Sequence, residues 1–114
     1  MREIKFRAWV KSEKAMIQHR EVIERAHLQF NDSLNNTDIV MQYTGLKDKN
    51  NVEIFEGDLL HCPSIELAYY KVVFDNGCFE LYHRLSRWGL LSRLYELTEP
   101  EVIGNIYENP ELLK

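Results

Sequence analysis

Ile4, Phe6, Ala8 and Val10 fall at every second position near the start of the chain, with Glu3, Lys5, Arg7, Trp9 and Lys11 between them. A period of two predicts a strand with one face in a core and the other in water. The polar residues 11–14 read as a turn, and residues 15–19 as the partner strand. Residues 22–30 suit a short helix or a strand almost equally, whereas 31–38 is a loop by composition. Residues 39–46 are apolar and β-branched enough for a strand. A polar turn at 47–51 follows, and 52–55 resumes extended chain. Asn50 and Asn51 tolerate the positive φ of a tight connection. Gly57 and Asp58 then bend the chain into a strand at 59–62, which Pro63 ends.

Asn76-Gly77, between two apolar runs, is a preferred pair for a two-residue type I′ hairpin. That register sets Phe74 opposite Phe79 and Val72 opposite Leu81 on an apolar face. Asp75/Cys78, Val73/Glu80 and Lys71/Tyr82 share the mixed face. Residues 85–97 are ambiguous: Leu90, Leu91, Leu94 and Leu97 fit a helical stripe, but Gly89 weakens a helix by ~1 kcal/mol. Residues 101–107 return to strand, and Asn109, Pro110 and Glu111 have the order of a helix start. Many short strands with frequent turns predict a mainly β domain, a small, partly open barrel with a short C-terminal helical turn. An α+β arrangement is the alternative.

The 114 residues are expected to form one domain, and 45% hydrophobic with 28% charged residues is ordinary for a globular chain. A net charge of −4 argues against a strong, non-specific nucleic-acid binder but leaves a local basic patch open. Cys62 and Cys78 do not make a disulfide framework. The start has no signal-peptide core, and no apolar run approaches the ~20 residues of a membrane span, so a cytoplasmic location is expected.

Three stretches, REIKFRAWVKSEKAM at 2–16, VMQYTGLKDKNNVEIFEGDLL at 40–60 and EVIGNIYENPELL at 101–113, together resemble the YopX family of small phage and prophage proteins. They cover nearly half the chain. The family usually has Asn-Gly where this chain has Asn50-Asn51, and Asn is the next-best residue for that backbone. The resemblance implies a phage-derived gene and a mainly β fold, with an SH3-like core as one form of it. It brings no reaction, cofactor or catalytic residue.

Candidate chemistry is sparse. Glu56 and Asp58 are two apart and could form an acid/base or metal pair, yet that needs a cleft and shifted pKa values, and a turn role for Asp58 is the simpler reading. His61, Cys62, Cys78 and His83 could gather a soft metal if their strands were neighbours. However, adjacent residues of a strand point to opposite faces, and no close Cys pair is present. No nucleophile elbow or phosphate loop occurs. Residues 82–95 contain no acid and hold Arg84, Arg87, Trp88, Arg93 and Tyr95. That mixture suits a protein interface, or single-stranded nucleic acid, or a core with solvated arginines. Lys5, Arg7 and Trp9 on the outer face of the first strand could extend the patch. The expectation is a non-enzymatic phage accessory protein acting through protein contacts as a homo-oligomer, without metal or cofactor. Alternatives are a nucleic-acid-binding module for phage replication or its control, and a small enzyme using Glu56 or Asp58.

Overall fold

The opening alternation forms β1 (Phe6–Val10), and the 11–14 turn returns it to β2 (Ala15–Ile17). Glu13 N–H donates to Val10 O at 3.1 Å, and Lys14 closes the turn with φ 51°. The computed structural model describes residues 3–26, 38–61, 69–75, 77–83, 86–89 and 100–113. His19, expected to end the second strand, instead opens α1 (His19–Ala26), and its Nδ1 accepts the Phe6 N–H at 3.0 Å. The ambiguity at 22–30 resolves to helix as far as Ala26, and residues 27–30 lie outside the described residues. Glu21 in the first turn and Arg25 in the last suit the helix dipole. Arg25 meets Glu21 at 2.6 Å and both oxygens of Glu13 at 2.6 and 3.1 Å. This hydrogen bonding holds the Glu13 carboxyl below its ordinary pKa and raises that of Arg25. Val22 supplies the helix's buried side chain, in a cluster with Ala8, Val10 and Ile17. Burying Val10, Ile17 or Val22 stabilises by ~1.5–3 kcal/mol each.

β3 (Ile39–Lys47) runs antiparallel to β1, with Phe6 opposite Gln42 and Trp9 opposite Ile39. Here the expected wet face of β1 is corrected. Arg7 is only 8% exposed, and its register partner Met41 is 1% exposed, so β1 is covered on both faces. Ile4, read as part of the apolar face, is 65% exposed because it precedes the paired strand.

By its internal contacts the chain divides into two compact units, Met1–Tyr43 and Thr44–Lys114, with the boundary inside β3. After that boundary come β4 (Glu53–Phe55), β5 (Asp58–His61), β6 (Tyr69–Asp75), β7 (Cys78–His83), β8 (Ser86–Gly89) and β9 (Glu101–Asn105). A 3-10 turn follows at Pro110–Leu113. The strand orders are β2-β1-β3-β4 and β8-β7-β6-β5-β9. The fold is mainly β, of short strands, and compatible with a small, partly open barrel. β5 lies between β6 and β9, and Leu59 and Leu60 are both fully buried although they point to opposite faces, so both faces of β5 are covered. Ile54, Leu60, Tyr70, Val72 and Leu81 form the core cluster of this unit.

The β6–β7 hairpin has the expected register in full, from Lys71 opposite Tyr82 to Asp75 opposite Cys78. Its apolar face is divided, however. Val72 and Leu81 are core, whereas Phe74 is 39% exposed and meets the Phe79 ring at 4.9 Å, near the tip. In the ambiguous stretch, Ser86–Gly89 is strand β8 paired with β7, and the helical stripe from Leu90 to Leu97 lies outside the described residues. Gly77 has φ 79° with open space where a Cβ would stand. Gly77→Val therefore carries a purely conformational penalty of ~1–2 kcal/mol or more, because a β-branched residue resists the left-handed region. Denaturant midpoints against a Val72→Thr control check this, and an unchanged Gly77→Val midpoint would contradict the turn type.

Candidate functional site

The corner Glu56-Gly57 joins β4 to β5. Gly57 takes φ 89°, a value suited to the third position of a type II turn. Its N–H donates to Val72 O at 2.8 Å, and its carbonyl accepts the Ile106 N–H at 3.0 Å. The Asp58 carboxylate turns back and accepts the Phe55 N–H through Oδ2 at 2.7 Å. Asp58 is 1% exposed, while Glu56 is half-buried and makes contacts of its own. The corner thus fastens β4, β6 and the exit of β9 together. A fully buried carboxylate held by its own turn is poorly placed to meet a substrate.

The β3–β4 connection is fastened in the same way, by a residue that the sequence reading passed over. Asp48 Oδ1 accepts the N–H groups of Asn50 (2.8 Å) and Val52 (2.9 Å), and Oδ2 accepts that of Val102 (2.9 Å). Its backbone closes the loop as well, with Asp48 N–H on Val52 O at 2.8 Å and Asn51 N–H on Asp48 O at 3.0 Å. The left-handed position falls on Asn51 (φ 66°), the last of residues 49–51, which the Asp48–Val52 hydrogen bond encloses. This agrees with a turn followed by an αL residue. Asp48 is 8% exposed. Lys49 and Asn50 add contacts to Glu101, at 3.4 and 3.2 Å, which are solvated and weak.

A third polar knot follows β9, which ends at Asn105 rather than at 107. Asn105 Oδ1 accepts the N–H groups of Tyr107 (3.0 Å) and Glu108 (2.8 Å), and its amide donates to Glu108 Oε1 at 2.7 Å. Asn109 was expected to cap the C-terminal helix with its side chain. It does stand at the cap position, its carbonyl accepting the Leu112 N–H at 3.1 Å, but its Oδ1 accepts the Asn105 N–H at 3.2 Å rather than an N–H of the turn. That side chain crosses Gly104, where a Cβ would lie 2.4 Å from Oδ1. Gly104→Ala is therefore expected to cost ~1 kcal/mol by displacing Asn109 from its hydrogen bond. In an Asn109→Ala background the same change should cost almost nothing. Additive losses in this double-mutant cycle would contradict the contact.

The other sequence candidates scatter. β6 separates β5 from β7, so the neighbouring strands needed to gather His61, Cys62, Cys78 and His83 are not formed. The His61 ring meets that of Tyr69 in a tilted contact at 5.4 Å, Cys78 is exposed at the hairpin end, and Cys62 lies outside the described residues. Among the described residues no group of three His, Cys, Asp or Glu side chains could hold a metal. Of the proposed partner patch, Arg84, Arg93 and Tyr95 lie outside the described residues. Arg87 and Trp88 lie on β8, opposite Tyr82 and Leu81. Lys5 and Trp9 are half-buried, with the Lys5 amine 5.7 Å from the Tyr43 ring centre, and Arg7 is buried as noted.

A family model for YopX protein matches residues 5–114. The chain belongs to the YopX family. Apart from the Gly57 bond to Val72, the three fastenings lie within its family-like segments, and two of them join the middle segment to the C-terminal one through Val102 and Ile106. This YopX family member is also similar to a solved structure, that of protein EF1440 from Enterococcus faecalis. The identity is 28% and the TM-score 0.68, and the match covers 100% of both chains. No curated protein matches.

Proposed function

We propose that the protein is a non-enzymatic accessory protein of a phage or prophage, which works through protein–protein contacts and self-associates. The reading is carried by the use made of Asp58. Its carboxylate, one of the two candidates for chemistry in the middle segment, is buried and bound to the Phe55 N–H. Asp48 serves its loop in the same manner. The small-enzyme alternative loses one of its two residues by this. Contact chemistry is left to the surface, where Val52, Tyr69 and Phe74 are exposed at 46, 38 and 39%. Sedimentation velocity at micromolar concentration tests the reading. A mass above the 13.6 kDa of one chain is expected, and a clean monomer would contradict it.

A nucleic-acid-binding module is the second reading, favoured by one observation. Lys71 and Tyr82 pair across β6 and β7, and the Lys71 amine lies 5.3 Å from the Tyr82 ring centre, a cation beside an aromatic. Anisotropy of a labelled single strand, titrated at several salt concentrations, would show binding that falls steeply with salt if this reading holds.

A further inference from the structure

The register of β6 and β7 places three rows on one face of the sheet. Lys71 and Tyr82 form the first row, Val73 and Glu80 the second, and Asp75 and Cys78 the third, at the tip. Directly paired residues share a face, and so do alternate residues along a strand. The face is therefore cationic at one end and anionic at the other, with Val73 between Lys71 and Asp75. Lys71, Val73, Asp75, Glu80 and Tyr82 are all half-buried, and an open concavity of about 350 Å³ runs from Lys71 and Tyr82 past Val73 to Asp75. Lys71 and Asp75 are four residues apart, ~13 Å along the strand.

We infer that this face is self-complementary, and that a second copy of the chain docks on it about a two-fold axis near Val73. Lys71 of each protomer then lies against Asp75 of the other. An isologous contact requires that if one residue meets another across the axis, the second also meets the first. Opposite charges at equal distances on either side of Val73 satisfy that with a single rotation. A polyanion on the Lys71–Tyr82 row would find Glu80 about 7 Å away, within the Debye length at physiological salt. The same acids that repel a nucleic acid there attract the cationic end of a second copy. The inference rests on the self-association proposed above and specifies its surface.

Sedimentation of the full chain tests it, with wild type, Lys71→Glu, Asp75→Lys and the double variant compared at ~50 mM salt. Wild type is expected to form a dimer of about twice 13.6 kDa. Each single reversal should weaken dimerisation at least ~10-fold, and the double reversal should restore it to within ~3-fold of wild type. The milder Lys71→Gln and Asp75→Asn should each weaken it in the same direction, which covers a reversal that fails to fold. If wild type and all variants associate alike, the face is not the interface, and self-association stands without it. If every protein is a monomer at 100 μM (roughly the upper limit of weak specific dimers), self-association itself fails and the inference falls with it. Wild-type monomer whose binding of a labelled single strand is lost in Lys71→Glu would assign the face to nucleic acid instead.

Discussion

Asp48→Ala should lower the unfolding free energy by about 3 kcal/mol, the largest effect expected of any single polar side chain described here. Three backbone N–H groups, those of Asn50, Val52 and Val102, lose their acceptor together. A buried donor left unsatisfied costs ~1–3 kcal/mol, and the two loop donors can recover part of that from water because Asn50 and Val52 are exposed. The Val102 donor is in strand β9, so the remaining cost falls mainly there. Asp48→Asn is a sharper probe. It can keep Oδ1 for the loop, but it turns an amide donor toward the Val102 N–H, so it should also be clearly destabilised. Denaturant titration of both variants checks this. A midpoint for Asp48→Asn equal to wild type would show that the contact to β9 contributes little.

Asp58→Ala is expected to cost ~2 kcal/mol, and Glu56→Gln less than ~0.5 kcal/mol. The two residues flank one glycine, yet only Asp58 is fully buried with its oxygen 2.7 Å from a backbone N–H. Removing that oxygen leaves the Phe55 donor in the interior without its acceptor. Glu56 is half-buried, and its glutamine variant keeps the shape and most of the hydrogen-bonding capacity of the side chain. Equal losses at the two positions would show that the corner depends on its charges as a pair rather than on one hydrogen bond.

Local chemistry made much of the fold legible. Asn76-Gly77 specified the β6–β7 register because a two-residue turn allows one pairing, and every pair from Lys71/Tyr82 to Asp75/Cys78 follows. The turn at 11–14 and the bend at Gly57 were readable for the same reason. Burial was less legible. Arg7 has the alternation of an outward residue, but period two reports only which face a side chain takes, never whether both faces are covered. Phe74 shows the converse: it shares a face with Val72, but it sits too near the hairpin tip to be enclosed. The candidate site was half visible. Asp58 after Gly57 reads as a turn acid, and the structure places it so. Asp48 was missed because its most distant partner, Val102, is 54 residues away, although an Asp opening a loop with Asn-Asn behind it is an Asx-turn signal. Asn105 and Asn109 were obscured by a helix-start pattern that accounted for Asn109 differently.

The central claim is that Asp48 and Asp58 of the family-like middle segment hold the fold together and that the segment's acids do no chemistry. Thermal melts of wild type, Asp58→Ala and Glu56→Gln, each with and without Mg²⁺, Mn²⁺ and Zn²⁺, test it most directly. The account predicts a wild-type melting temperature indifferent to divalent metal and a Glu56→Gln close to wild type. Asp58→Ala should melt lower by ~8 °C or more. A metal-dependent rise in the wild-type melting temperature that vanishes in both variants would contradict it.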